Sequence, residues 1–311
     1  MDKVIIVLGP TCSGKTAASI EIAMTLGAEI ISADSMQVYK GMDIGTAKPS
    51  AKELSDVPHH LINIIEPHEE FSAGRFVEEA LPVIKRLHGK GKIPVIVGGT
   101  GLYIRALTRG LFSAPSADVE LREKLLAMEN ERKGSLFEML LDADPGAAKA
   151  ISPGDTRRII RGLEVSIKTG AAISALQKNC TAAHPFEFIK IGLHRERAEL
   201  YSLINHRVDW MLEAGLLEEV KRVMASGAKA SKTAMQAIGY KEMQEFLNGI
   251  HTLDGAVSLI KRNTRRYAKR QMTWFKKEEG VQWVDITGTE GRQEIAARIF
   301  PVLNEAGFYN S

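Results

Sequence analysis

The stretch Val4-Ile5-Ile6-Val7-Leu8-Gly9-Pro10-Thr11-Cys12-Ser13-Gly14-Lys15-Thr16 decides the fold. Its opening, Val4 to Leu8, is an apolar run rich in β-branched residues that stops at a glycine, the mark of a fully buried strand. The remainder, Gly9 to Thr16, matches GxxxxGK(S/T) in full. A helical pattern follows from about Gly14 to Leu26. Strand, glycine-rich loop and helix in that order aim backbone N–H groups and the positive end of a helix dipole at an anion. Lys15 supplies a positive charge and Thr16 a hydroxyl able to ligate Mg2+. The segment therefore predicts a loop that binds phosphate or diphosphate. Cys12 within it reads as a small filler rather than a nucleophile.

Outward from this loop, strands alternate with helices. Glu29 to Ser32 is the next strand, ending at Ala33-Asp34-Ser35. Residues 40–75, with their glycines and prolines and the pair His59-His60, look loop-rich. Ala73 to Gly89 has amphipathic helical spacing, and Ile93 to Val97 is a fully apolar strand stopped by Gly98-Gly99. Near Ser113-Ala114-Pro115 the character changes. From there to about Ala183 the pattern is almost wholly helical, with breaks at Gly134, Pro145, Pro153 and Gly170. Strand character returns over Phe188 to Leu193. Helices follow from Glu196 to about Ala225 and from about Asp254 to Lys277, then a strand over Val281 to Ile286 and a last helix. The expected fold class is α/β: a P-loop NTPase-like parallel sheet core with helices on both faces and a helical insertion domain. The expected division is a first part of the core over 1–113, the insertion over 114–184, and a second part with basic C-terminal helices over 185–311.

Composition narrows the class. The 311 residues are 44% hydrophobic and 25% charged with a net charge of +3, so any nucleic-acid surface must be a local basic patch. Cys12 and Cys180 are too few and too far apart for a disulfide framework or a thiolate metal site, which fits a reducing cytosol. The apolar start is too short for a signal peptide, and no stretch reaches transmembrane length. A cytoplasmic, monomeric protein with no membrane partner is expected.

Asp34 lies just past the second strand, at the edge where open parallel sheets bind ligands. Beside a phosphate loop its carboxylate suits a general base, although Asp-Ser is also good helix-capping chemistry. The strand Ile93 to Val97 ends in Gly98-Gly99-Thr100-Gly101, not in the Asp that helps ATP-hydrolysing P-loop proteins hold Mg2+. The glycines imply close approach of backbone to a ligand or a neighbouring element, and Thr100 could point a hydroxyl into the site. With no NKxD-type motif either, a motor ATPase and a GTPase switch are disfavoured. Basic residues cluster at Arg157, Arg158 and Arg161, and again over Lys261 to Lys277, which holds eight Lys/Arg, no acid, and Tyr267, Trp274 and Phe275. The second mixture suits phosphate contacts and base stacking; the alternative is a solvated helix face with its aromatics in the core. Arg197 and Arg207 fit either a clamp over phosphates or pairing with nearby acids. His59-His60 has no metal-ligand partner at useful spacing and reads as structural.

Together these segments resemble the tRNA dimethylallyltransferases, or tRNA isopentenylpyrophosphate transferases, nearly end to end. GPTCSGKT over 9–16 is similar to the family's loop, with Cys12 where a small residue is more usual. More specific are ADSMQVYKGMDIGTAKP from Ala33 to Pro49, VGGTGLY over 97–103, Gly239-Tyr240-Lys241-Glu242, and KRQMTWFKK over 269–277. The resemblance implies transfer of the dimethylallyl group of dimethylallyl diphosphate to N6 of the adenosine at tRNA position 37. That base lies immediately 3′ of the anticodon in tRNAs reading codons that begin with U. It implies dimethylallyl diphosphate and the tRNA anticodon stem-loop as partners, and Mg2+ as cofactor.

Residue by residue, the resemblance implies that Gly9, Pro10, Thr11, Cys12, Ser13, Gly14, Lys15 and Thr16 bind the diphosphate. Lys15 and Thr16 would take part in catalysis, Thr16 would hold Mg2+, and Arg197 would join the diphosphate site. Asp34 would accept the N6 proton, and Asp34, Ser35, Met36 and Gln37 would contact the flipped adenine. Thr100 and Arg122 match positions that touch tRNA near the reaction channel. Further tRNA-contacting segments match Arg157-Arg158-Ile159-Ile160-Arg161, Gln236-Ala237-Ile238-Gly239-Tyr240-Lys241 and Lys269-Arg270-Gln271-Met272-Thr273-Trp274-Phe275-Lys276.

The chemistry is coherent. An exocyclic adenine amine is a poor nucleophile that a positioned carboxylate can deprotonate as the new bond forms. Lys15, backbone donors and Mg2+ suit the charge developing on a leaving diphosphate. Three rivals are weaker. A P-loop small-molecule kinase leaves the basic aromatic helix and the insertion unexplained. A transferase for free adenine nucleotides leaves both basic clusters idle. A nucleotide-switched RNA-binding module lacks switch and base-recognition motifs.

Overall fold

The computed structural model describes residues 2–112, 115–179, 183–225 and 232–308. Strands β1 (Asp2–Leu8), β2 (Glu29–Ser32), β3 (His59–His60), β4 (Pro94–Gly98), β5 (Phe186–His194) and β6 (Val281–Asp285) form one sheet. Its order is β3-β2-β4-β1-β5-β6, with every pairing parallel. β1 is central, with Ile6 level with Ile96 of β4 and Lys190 of β5. Side chains alternate across the sheet. Ile5 and Val7 join the core made with helices Lys15–Leu26 and Arg292–Glu305, through Ile20, Ile22, Ile295 and Ile299. Val4, Ile6 and Leu8 face the opposite side and are equally buried. Helix Ala73–Gly89 packs on β4, and its Phe76 ring stacks 4.7 Å from Tyr103 of helix Gly101–Arg109. Burial on both faces is why β1 reads as an unbroken apolar run.

β4 flanks β1 on one side and β5 on the other, so the C-terminal end of β1 opens at a topological switch point. The helix that follows is bounded by glycines. Gly14 (φ +82) starts it, and Gly27 (φ +61) ends it with an N–H bond to Ala23 O.

The chain divides into two compact units, residues 1–105 with 185–311, and residues 106–184. The division falls inside the continuous helix Gly101–Arg109 rather than after residue 113. Ser113, Ala114 and Cys180 lie outside the described residues. The second unit holds helices Val119–Glu131, Ser135–Ala143, Pro145–Ala150, Thr156–Thr169 and Ile173–Asn179. Leu125, Leu136, Leu140, Ile159 and Leu163 form its core. Gly134 (φ +87) and Gly170 (φ +69) interrupt the chain in left-handed conformations, and Pro145 opens a helix.

Residues 40–75 are loop-rich as expected, with two short elements among the loops. Ser50 and Glu53 form a capping box for helix Ala51–Asp56, and His59-His60 is edge strand β3, paired with Ile30 and Ile31. Both elements are too short to show periodicity. The expected helix from 196 to 225 is two, Arg197–Glu213 and Leu216–Ala225, separated at Gly215 (φ +97). Among the described residues, no helix is long and apolar enough to cross a membrane.

Candidate active site

The site grows out of the end of β1. Gly9 (φ +151) admits no side chain, since a Cβ there would meet Leu193 O and Ser13 Oγ at 2.8 Å. Cys12 also turns left-handed (φ +63) and is buried against Leu200, Ile204 and Ala268. Ser13 Oγ is buried with no hydrogen-bond partner among the described residues. Lys15 Nζ donates to Pro10 O at 2.7 Å. Burial pulls the Lys15 ammonium down to about 8; the charge of Asp34 opposes this and that of Arg207 adds to it.

Asp34 follows β2. Ala33 N–H still bonds Val97 O at 2.7 Å, and the chain then turns. Asp34 Oδ1 accepts the N–H of Met36 at 2.8 Å and that of Gln37 at 3.3 Å. Capping and chemistry are thus compatible, because one oxygen can hold the turn while the carboxylate lines the cavity. Burial lifts the carboxyl above the usual Asp range, against the Met36 N–H, the Lys15 charge and the Gln37 N–H. Thr100 does not line the cavity. Its Oγ1 accepts the Ser35 N–H at 3.0 Å and so braces the Asp34 turn.

The loop beyond is built from inside. Gln37 Oε1 accepts from Ser32 Oγ at 3.0 Å, and its Nε2 donates to Ala47 O at 3.3 Å. Glu219, buried on helix Leu216–Ala225, accepts the N–H groups of Asp43, Ile44 and Gly45 at 2.9, 2.9 and 3.0 Å. It also accepts the Tyr240 hydroxyl at 2.5 Å. Nothing local in the sequence announces Glu219, whose three backbone partners lie more than 170 positions away.

These elements enclose a cavity of about 560 Å3 in the first unit. Thr11 to Thr16, Asp34, Arg207 and Tyr267 line it, with an apolar wall of Ile204, Val208, Met211 and Ile260. Arg197 is not among the lining residues. It starts helix Arg197–Glu213, is exposed, and lies 5.1 Å over the Tyr201 ring. Arg207, farther along the same helix, lines the cavity instead.

The long basic helix, Leu253–Phe275, sorts its side chains by face. Arg270 and Lys269 are exposed, as are Thr273 and, just past the helix end, Lys276. Phe275 is fully buried and so is unavailable for base stacking. Trp274 is half-buried under the Arg105 guanidinium, 4.3 Å from its ring. Met272 is half-buried. Gln271 is buried, and both ends of its amide are used: Oε1 accepts Thr11 N–H at 2.8 Å and Nε2 donates to Gly99 O at 2.9 Å. The close approaches at 98–101 are therefore to protein. A Cβ on Gly98 would meet Ala33 O at 2.1 Å, one on Gly99 the Gln271 amide at 2.2 Å, and one on Gly101 the Trp274 indole at 2.3 Å.

The other expected RNA segments divide in the same way. Gln236 and Lys241 are exposed, Ile238 is half-buried, and Ala237, Gly239 and Tyr240 are buried. In the second unit Arg157 and Arg158 are exposed, whereas Ile159 and Ile160 belong to the core. Arg122 donates through Nε and Nη2 to Glu164 at 2.8 Å each, and Arg161 pairs with the same carboxylate. Burial alone would raise Glu164; the Arg122, Asp118 N–H and Arg161 donors outweigh it and hold the carboxyl at about 2.

Among the described residues, no group of three or more His, Cys, Asp or Glu is placed to hold a metal. Thr16 and Asp34, which line the cavity, carry hard oxygens of the kind that suit a divalent cation.

Comparison with known proteins gives one answer. The family model for IPP transferase matches residues 37–278, and that for isopentenyl transferase matches residues 2–64. The tRNA dimethylallyltransferase of Thermodesulfovibrio yellowstonii is 47% identical over 97% of this chain and 98% of its own. That of Carboxydothermus hydrogenoformans is 48% identical over 99% of both chains. The solved tRNA isopentenylpyrophosphate transferase of Bacillus halodurans superposes with a TM-score of 0.73 at 42% identity, covering 99% of this chain and 97% of that one. A eukaryotic dimethylallyltransferase acting on tRNA superposes at 0.80 and 32% identity, covering 93% of this chain and 75% of that one. Matched across nearly its whole length, this chain belongs to the IPP transferase family.

Proposed function

We propose that this chain transfers the dimethylallyl group of dimethylallyl diphosphate to N6 of the adenosine at tRNA position 37, next to the anticodon, with release of diphosphate. The observation that carries the reading is the pairing of Lys15 on a phosphate loop with a desolvated Asp34 in one cavity.

The diphosphate would be received by backbone donors of the loop, Ser13 Oγ, Lys15 and Arg207. Lys15 would exchange the Pro10 carbonyl for a diphosphate oxygen. Mg2+, held by the Thr16 hydroxyl, would supply positive charge to the departing diphosphate. The wall of Ile204, Val208, Met211 and Ile260 offers the prenyl chain an apolar surface. As the N6–C bond forms, the C–O bond to diphosphate breaks and the N6 proton passes to Asp34. The raised affinity of Asp34 for a proton makes it a stronger base than an exposed Asp. An adenine stacked in an anticodon loop must leave its stack to reach this carboxylate. The exposed cations Lys269, Arg270, Lys276, Arg157 and Arg158 suit contacts to the RNA backbone.

Incubation with undermodified tRNA, Mg2+ and labelled dimethylallyl diphosphate tests the reading. Label should enter tRNA. A kinase would instead pass the γ-phosphate of ATP to a small alcohol and leave the tRNA unlabelled, which would overturn the proposal.

A further inference from the structure

We infer that Gln271 is a positioning residue for this transfer, tying the diphosphate loop to the turn that carries Asp34; the inference rests on the prenyl-transfer reading. Gln271 is 6% exposed, and a buried amide is costly unless its oxygen and nitrogen are both paired. Its oxygen takes the Thr11 N–H at 2.8 Å, at the start of the diphosphate loop. Its nitrogen serves Gly99 O at 2.9 Å. The next residue, Thr100, accepts the Ser35 N–H at 3.0 Å and donates its own N–H to Ala33 O at 3.3 Å, so it grips both sides of Asp34. A continuous path thus runs from Thr11 through Gln271, Gly99 and Thr100 to Asp34, crossing three segments remote in sequence. Gly99 and Gly101 let the helix come this close. The same helix carries Lys269 and Arg270 on its exposed face.

The pairing demands both a donor and an acceptor. A methionine here would strand the Thr11 N–H and the Gly99 carbonyl. An ionised glutamate would serve Thr11 and repel Gly99. Gln271 thereby sets the separation of leaving group and base, where a misplacement of about 1 Å costs roughly 100-fold in rate.

The test uses the full chain with tRNA and dimethylallyl diphosphate, comparing wild type, Gln271→Met and Gln271→Glu. Single-turnover transfer should fall about 10- to 100-fold in both variants, while tRNA affinity and its salt dependence stay unchanged. The discriminating readout is pH. As pH falls, the introduced carboxyl of Gln271→Glu, which burial lifts above the ordinary Glu value of about 4.3, protonates and can again donate to Gly99 O, so its rate relative to wild type should rise. The Gln271→Met ratio should stay flat. Asp34 and Lys15 line the same cavity, and the Tyr267 hydroxyl faces Gln271; these groups are present in all three proteins, and the Gln271→Met ratio reports any effect they have. Transfer within about threefold of wild type in Gln271→Met, or loss that tracks tRNA affinity, overturns the inference. So does a flat Gln271→Glu ratio; should that variant not fold, the Met variant decides alone. A wild-type protein that transfers nothing overturns the prenyl-transfer reading itself, a result distinct from active wild type with unaffected variants.

Discussion

Asp34 Oδ1 lies 2.8 Å from the Met36 amide, so the carboxylate proposed as the base also caps its own turn. Substitution separates the two roles. Asp34→Asn keeps an acceptor for the Met36 N–H and loses the basicity; Asp34→Ala loses both. Transfer should fall about 100- to 10,000-fold in each. Only Asp34→Ala should also lose about 1 kcal/mol of stability. Thermal melts and single-turnover assays read the two effects separately, and an Asn variant with wild-type turnover removes Asp34 from the chemistry.

Asp34 and Lys15 together set a pH profile. Asp34 must be ionised to take a proton, and burial raises it, so kcat/KM for the donor should climb with pH through a midpoint above the ordinary Asp range. Lys15 must stay charged, and its value of about 8 places the falling limb there in the free enzyme. Bound diphosphate favours the ammonium, so the same limb in kcat should move to higher pH. A pH-rate series at saturating and limiting donor checks both limbs. A kcat/KM still rising well above pH 8 contradicts the role given to Lys15.

The two arginines of helix Arg197–Glu213 make a paired test. Arg207 lines the cavity and Arg197 does not. Arg207→Ala should raise the donor KM or lower kcat/KM by about 10- to 1,000-fold, the range for losing one charge-stabilising donor. Arg197→Ala should cost far less. Steady-state kinetics with varied dimethylallyl diphosphate decides, and equal losses would return Arg197 to the diphosphate site.

Along the basic helix, face predicts effect. Lys269→Ala and Lys276→Ala should each reduce the slope of log binding constant against log salt by up to about one for tRNA. Phe275→Ala should leave that slope alone and cost about 3–5 kcal/mol of stability, because a fully buried ring is removed. Filter-binding titrations over a salt series, with melts alongside, test the division.

What could be read from the chain beforehand was what is contiguous. Val4 to Thr16 carries strand, loop and helix signals in one window, and Asp34 sits where a strand ends. The alternation of Glu29–Ser32, Ala73–Gly89 and Pro94–Gly98 announces the parallel sheet. Ala51–Asp56 and His59–His60 escape because neither is long enough to repeat its period. Long-range pairings escape for a different reason. Gln271 meets Thr11 across 260 positions, and no local pattern marks it. The basic motif around it mixes exposed Lys269 and Arg270 with buried Gln271 and Phe275, so membership of a motif does not say which side chains face the RNA. Arg197 and Arg207 are told apart only by the phase of their helix against the cavity.

The most direct test of prenyl transfer is nucleoside mass analysis of undermodified tRNA after reaction with wild type and Asp34→Asn side by side. The account predicts N6-dimethylallyl adenosine next to the anticodon with wild type and almost none with Asp34→Asn. Unmodified adenosine with wild type, or equal modification by both proteins, would contradict it.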